Sequence, residues 1–312
     1  MDRNLALEFV RVTEAGALAA AVWIGKGDKN AADGAAVSEI RARFADVAID
    51  GVVVIGEGEK DEAPELYVGE RVGMGVGPVI DIAVDPLECT NSVAYGVPNA
   101  ISVIATGPRG SLLSAPDMYM DKIAVGPRAV GRVSFDNTVA RNIESVSEAI
   151  QKPIADMTVA VLDRPRHEPL IAQIRDAGAR VRLFSDGDVA FAIACSQDDS
   201  GIDMLLGVGG STEGVLAAAA VKCLGGELLT RLVPKDDAQI KRLARVGITD
   251  VSRVYTQDDL AVGNDVSFTA TGIIDGPLLK GIRETFTHHI THSVVMRCRS
   301  KTVRFIETYH LK

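Results

Sequence analysis

Two carboxylates and a hydroxyl stand close together in Asp85-Pro86-Leu87-Glu88-Cys89-Thr90. Carboxylates three residues apart across a proline turn can converge on one point. Acids held together repel unless a cation sits between them, and hard divalent cations take oxygen ligands of this kind. The stretch is therefore a candidate Mg²⁺ or Mn²⁺ site, with Thr90 placed to handle a water or a phosphate oxygen. Taken by itself it fits a solvated turn equally well. Further acids fall at the ends of other expected elements: Asp33, Glu57 and Glu213. With Asp85 and Glu88 they form a set too large, and too well placed, for salt bridges alone. Such a set suits two or more ions, and paired ions hold the attacking and leaving oxygens of an in-line phosphoryl displacement. Asp61, inside the acid-rich run after Gly56, could orient or deprotonate the attacking water.

Charge of the opposite sign appears at Arg164-Pro165-Arg166. Proline fixes φ between the two arginines, and at a turn both guanidinium forks can reach one phosphate. Two exposed surface arginines are the plain alternative. Asp186-Gly187-Asp188 offers carboxylates for sugar hydroxyls, or for capping the helix that follows. Gly207–Ser211, before an expected helix, can present backbone amides to an anion; no Gly-Lys-Ser/Thr follows, so it is not a Walker loop. His167 reads as polar structure at a helix start, not as a base. The residues together describe a metal-dependent phosphatase acting on a small phosphorylated polyol or sugar.

These groups need a scaffold that gathers element ends. Apolar spacing predicts a helix over 3–23 whose alanine-rich end packs closely, then a loop over 25–30. Asp33 opens a second helix over about 34–45, as an N-cap or as a metal ligand. β-Branched residues predict a strand over 52–55, and an apolar run over 79–84 predicts a buried strand stopped by Pro86. Shorter strands follow at 100–105 and 122–125, with a polar helix near 140–150. The expected junction divides the chain into 1–155, a metal-binding half, and 156–312, a sugar-phosphate-binding half. Strands at 157–162, 180–184, 202–206 and 226–230 alternate with helices, which implies a largely parallel sheet with polar residues at its strand ends. Strands at 267–272, 287–297 and 301–309 suggest a closing meander.

The bulk properties are those of a soluble globular chain: 312 residues, 47% hydrophobic, 24% charged. No run approaches the roughly 18 apolar residues that span a bilayer, and the charged N-terminus does not read as a signal peptide, so no membrane partner is expected. Four cysteines without a C-x-x-C pair argue against a disulfide framework or zinc site and fit a reducing cytoplasm. A net charge of −9 disfavours nucleic acid. Phosphorylated substrate would need local cations to reverse that field.

Asp85-Pro86-Leu87-Glu88-Cys89-Thr90 resembles the Asp-Pro-x-Asp/Glu-Gly-Thr signature of the lithium-sensitive, metal-dependent phosphomonoesterases. Gly27-Asp28-Lys29-x-x-x-Asp33, Gly56-Glu57-Gly58-Glu59-x-Asp61-Glu62-Ala63-Pro64, Ala115-Pro116-Asp117-Met118-Tyr119-Met120, Pro165-Arg166-His167 and Asp186-Gly187-Asp188 extend the likeness along essentially the whole chain. In combination they resemble the bacterial class II fructose-1,6-bisphosphatases. The resemblance implies the sugar-phosphatase fold, a layered αβαβα sandwich, and hydrolysis of the 1-phosphate of fructose 1,6-bisphosphate to fructose 6-phosphate in gluconeogenesis. It implies Asp33, Glu57, Asp85, Glu88 and Glu213 as ligands of Mg²⁺ or Mn²⁺, Asp61 as the residue that activates water, and Thr90 and Lys29 at the phosphate. Substrate would be held by Glu88, Cys89, Thr90, Tyr119, Arg164, Pro165, Arg166, Asp186, Gly187, Asp188 and Gly210. A homodimer or homotetramer is implied as well. Some relatives also act on sedoheptulose 1,7-bisphosphate, which leaves a dual enzyme as one alternative. The other comes from Cys89, which stands where the signature has glycine. A Cβ there adds about 1–3 kcal/mol of strain if φ is positive, so a catalytically impaired sugar-phosphate-binding protein is the second alternative.

Overall fold

The structure, a computed structural model, describes residues 5–58 and 65–312. The chain packs into two compact units, Met1–Ser114 with Ala261–Lys312, and Ala115–Leu260. In chain order the first unit supplies helices α1 (Leu5–Ala21) and α2 (Lys29–Phe44), strands β1 (Asp50–Ile55), β2 (Arg71–Val72) and β3 (Val79–Glu88), helix α3 (Thr90–Tyr95) and strand β4 (Ala100–Pro108). The second unit contains β5 (Tyr119–Val125), α4 (Val139–Ile150), β6 (Thr158–Leu162), α5 (Glu168–Asp176), β7 (Arg180–Phe184) and α6 (Val189–Ala194). It continues with β8 (Met204–Gly210), α7 (Ser211–Leu224), β9 (Glu227–Val233), α8 (Asp237–Arg245), β10 (Val254–Thr256) and α9 (Gln257–Leu260). The chain then re-enters the first unit with β11 (Ser267–Ile274), β12 (Arg283–Glu284), β13 (His288–Arg297) and β14 (Thr302–Leu311). The break expected between residues 155 and 156 falls inside the second unit, because β5 already belongs to that unit's sheet and β11–β14 belong to the other.

Among the described residues the first unit holds an eight-stranded sheet, ordered β12-β13-β11-β4-β3-β1-β2 with β14 on the free edge of β13. Its core joins Phe9 and Val12 of α1, Ile40 and Phe44 of α2, and Val53, Ile82, Val84 and Ile104 from the strands. Small residues let the helices approach: Ala17 and Ala20 meet Ala32 and Ala36 beside Leu87, Cys89 and Val93. The second unit holds a six-stranded sheet, β10-β9-β5-β8-β6-β7. Ile123 and Val125 on one face of β5 cluster with α4 and α5, while Met120 and Lys122 on the other face lie beneath α7. Each unit is thus a mixed α/β layer of sheet and flanking helices, as the expected fold class requires.

Four local expectations are corrected. The sheets are not largely parallel: among the described residues only β1–β3, β6–β7 and β6–β8 pair in parallel, and in the second sheet β5 inserts antiparallel between β8 and β9. The second helix starts at Lys29, not near 34; Asp28 is its N-cap, accepting from the Ala31 amide at 3.0 Å, and Asp33 sits on the helix itself. Pro86 does not stop its strand. β1 leaves β3 after Ala83, and Pro86 falls in the register shift against β4 between Asp85 and Glu88, where its missing N–H costs no ladder bond. The Gly-rich segment 207–210 is the end of β8, with all four residues paired to β5, instead of a loop before α7.

Candidate active site

The acids of the first unit are carried by three different elements. Asp33 lies one turn into α2, Glu57 two residues beyond β1, and Asp85 at the bulge of β3. Gly56 makes the turn possible: a Cβ there would stand 2.0 Å from the Leu66 carbonyl. That carbonyl accepts from the Glu57 amide at 3.1 Å and so fixes the direction of the acid. Glu70 braces the same loop by accepting from the Leu66 amide and from Arg41. The Glu57 carboxyl has its pKa pushed up to about 9, first by burial, then by the charges of Asp85 and Asp33, and it shares a hydrogen bond with Asp33. Burial also raises Asp33, against that hydrogen bond. Asp85 accepts from the Leu87 amide at 3.1 Å. Among the described residues the carboxylates adjoin one another without closing a cage of three or more ligands. The donor set fits a hard divalent cation: it is all oxygen, it is anionic, and burial and mutual charge raise the pKa values of Glu57 and Asp33.

Glu88 ends β3 with 4% of its surface exposed. Cys89 follows at φ 77° and ψ 55°, a left-handed conformation, and leads directly into α3, whose first residue is Thr90. The strained branch of the expectation for Cys89 therefore applies. Its thiol has nevertheless found room: it packs among Leu87, Val93 and Ala100, and Asn99 Nδ2 donates to Sγ at 3.5 Å. The loop before α2 is tied down next to it, with the Gly25 and Gly27 amides donating to the carbonyls of Val93 and Ala94 at 2.9 Å. Lys29 is exposed at the start of α2. Asp61 lies outside the described residues.

In the second unit several of the residues expected at the substrate contact one another or the same turns. Arg166 lies over the Tyr119 ring at 4.7 Å and donates to the Val208 carbonyl at 2.7 Å. Arg164 donates to the Ser185 carbonyl at 2.6 Å and reaches Asp186 at 3.4 Å. Pro165 begins the single 3₁₀ turn between them. Gly187, at φ 62°, turns the chain between Asp186 and Asp188. Asp188 points inward. Lys122, with a fully buried side chain, donates to both its oxygens at 2.7 and 2.8 Å, so the Asp188 side chain, at the N-cap of α6, makes no capping hydrogen bond and does not face solvent. Gly210 is the N-cap of α7, and a Cβ on it would stand 2.1 Å from Glu213 Oε2; its absence lets that carboxylate fold back over the helix start. His167 is structural: Nδ1 donates to the Leu162 carbonyl at 2.6 Å, and Nε2 accepts from the Val208 amide at 2.8 Å. Burial holds it below the usual imidazole range.

Two lysines escaped the sequence reading. Lys122 falls on the buried phase of the alternation in β5, which was a usable signal. Lys235 Nζ sits 4.5 Å from the Tyr119 ring, and nothing local in the sequence marks it.

The family model described as bacterial fructose-1,6-bisphosphatase, glpX-encoded, matches residues 3–310. A fructose-1,6-bisphosphatase class 2 from Haemophilus influenzae is 44% identical over 99% of this chain and 97% of that protein. Fructose-1,6-bisphosphatase 1 class 2 from Escherichia coli (strain K12) is 44% identical over 99% of this chain and 96% of its own length. Among solved structures, an inositol monophosphatase from Anabaena (Nostoc) sp. PCC 7120 aligns with 62% of this chain and 72% of its own, at 14% identity and a TM-score of 0.32.

Proposed function

Since the chain belongs to the family of glpX-encoded bacterial fructose-1,6-bisphosphatases, we propose that it hydrolyses the 1-phosphate of fructose 1,6-bisphosphate, releasing fructose 6-phosphate and phosphate. The observation that carries this reading is 44% identity to named class 2 enzymes across 99% of the chain. Asp33, Glu57 and Asp85 are assigned to Mg²⁺ or Mn²⁺ on their crowding and their oxygen chemistry; Glu88 and Glu213 are assigned on their places in the sequence and the resemblance. When bound, the cations supply Lewis-acid polarisation and charge neutralisation at the phosphoryl group. Asp61 takes the proton of the attacking water, as water oxygen bonds to phosphorus and the bond from phosphorus to the C1 oxygen breaks; the C1 oxygen leaves as the alcohol, taking its proton from solvent. Thr90 and Lys29 contact the transferred phosphoryl group, and Glu88 and Cys89 border the substrate there. Tyr119, Arg164 and Arg166 recognise the distal phosphate, with Pro165 holding the arginines apart. Asp186, Gly187, Asp188 and Gly210 shape the sugar site, Asp188 through its ion pair with Lys122. The same reading includes a homodimer or homotetramer working in the cytoplasm without nucleic acid; among the described residues no helix is long and apolar enough to cross a membrane.

The relatives' names do not favour the dual or the impaired alternative. A phosphate-release assay on fructose 1,6-bisphosphate, with Mg²⁺ and Mn²⁺ titrated and sedoheptulose 1,7-bisphosphate run in parallel, tests the proposal. The expected result is metal-dependent turnover with the six-carbon substrate preferred. Binding of fructose 1,6-bisphosphate without turnover at any metal concentration would overturn it.

A further inference from the structure

Away from the carboxylate cluster, three adjacent strands of the first unit line up a row of metal-ligating side chains. His289 on β13 is the register partner of Glu284 on β12 and of His310 on β14. Register partners project to the same face, with Cβ atoms about 4.5–5.5 Å apart across each pair. Glu284 Oε1 already lies 3.4 Å from His289 Nδ1. On the same face α1 brings Glu14, whose Oε1 is 3.9 Å from His310 Nε2.

The hydrogen bonds around His310 decide which of its nitrogens carries the hydrogen. Thr291 Oγ1 donates its one proton to Glu14 Oε1 at 3.0 Å. The same hydroxyl is 2.9 Å from His310 Nε2. With its proton committed to Glu14, Thr291 can only accept from the ring, so Nε2 carries the hydrogen and Nδ1 keeps its lone pair. This is how ligating histidines are usually prepared: the second ring nitrogen donates toward a carboxylate and fixes the tautomer. Glu14 is buried, at 7% side-chain exposure, whereas Glu284 is 64% exposed and His289 and His310 are 35% and 26% exposed. The row is thus anchored at one end and open at the other.

We infer that Glu284, His289 and His310 form a second cation site, oriented by Thr291 and Glu14, for a borderline transition ion such as Zn²⁺ or Ni²⁺. Two imidazoles and a carboxylate suit such ions, whereas the all-carboxylate cluster suits Mg²⁺ or Mn²⁺. Among the described residues no three such groups already surround a point. The site closes by rotation of the exposed Glu284, which leaves its ion pair with Lys312 at 3.2 Å. A bound ion would cross-link β12, β13 and β14.

The test is a Ni²⁺ titration of the full chain by calorimetry, with Mg²⁺ held saturating, alongside the cobalt absorption bands of the Co²⁺-loaded protein. Wild type is expected to bind one equivalent more Ni²⁺ than either His289→Ala or His310→Ala, and to show nitrogen-ligated cobalt bands that both variants lose. His292→Ala, on the opposite face of β13, should leave the equivalent in place. Thr291→Val, which frees the tautomer, should weaken binding by about 10–100-fold. Melting curves in EDTA report whether each variant is folded, and Thr291→Val carries the test if a histidine variant is not. Equal stoichiometry and equal cobalt spectra in wild type and both histidine variants would overturn the site.

Discussion

At Glu57 the chain places a carboxyl where its neighbours oppose its charge. Asp85 and Asp33 both raise its pKa, and burial raises it most. Without a cation that crowding opposes folding; with one it becomes the source of affinity. Glu57→Gln should therefore act in opposite directions in two assays. In EDTA near pH 7 the variant should melt higher than wild type, because the wild-type carboxyl must take up a proton to fold and the amide need not. With Mn²⁺ saturating, its kcat/KM should fall by at least about 100-fold, as transition-state stabilisation through the cations weakens. A variant less stable than wild type in EDTA would show that Glu57 is a structural acid. Cys89 presents the converse case, a side chain at φ 77° where glycine is unstrained. Cys89→Gly removes about 1–3 kcal/mol of strain but also loses a buried thiol, so stability should change little. The backbone between Glu88 and Thr90 should relax, and kcat should rise. An unchanged kcat at saturating metal would mean that the strain is absorbed away from the reacting groups.

At the scale of elements, the second unit is held by two buried polar links between strands and the turns beside them. The Lys122–Asp188 pair joins β5 to the start of α6. Lys122→Ala should destabilise by about 3–5 kcal/mol, because it leaves a carboxylate buried without its cation; urea melts of the single variant and of Lys122→Met/Asp188→Leu would separate that penalty from lost packing. His167 joins the end of β6 to β8, and its ring packs on Gly207, which lies at φ 142°. Its folded pKa is depressed below 6.5, so below that pH the unfolded chain binds the proton more readily than the folded one. Stability from this group is present above about pH 6.5 and declines as pH falls below it. His167→Gln should be less stable at pH 7.5, with a shallower decline between pH 7 and 5.5 in urea melts; an unchanged slope would place the sensitivity elsewhere. These links also show where the sequence was legible. Periodicity located most strands and helices to within a few residues because each buries one face. It missed the strand direction of β5 and the pairing of residues 207–210, since both are fixed by which distant strand lies alongside. Asp186 and Asp188 look equivalent in sequence, yet only Asp188 meets Lys122, a partner 66 residues away.

For the whole molecule, the decisive fact is that the first unit is discontinuous. β4 is buried along all but its last residue, and it lies between β3 and β11, the latter arriving only after residue 260. A chain ending at residue 155 would leave the β11 side of β4 bare and would lack the core residues β11 and β13 supply, such as Phe268 and Val294. It would also carry β5 without β8 or β9. The second unit has the opposite property, since every strand of its sheet, β5 to β10, falls between Ala115 and Leu260. The excised segment 115–260 should therefore be monomeric or regularly associated on size exclusion, show α/β circular dichroism and melt in one cooperative transition. The segment 1–155 should be aggregated or lack a cooperative melt, and co-expression with residues 261–312 in place of 115–260 should restore one. The sequence could not reveal this insertion, because a strand's apolar pattern records that it is covered and not which part of the chain covers it. If 1–155 folds alone and 115–260 does not, the division of the molecule follows chain order after all, and the roles assigned to each unit's residues would have to be tested in the intact protein only.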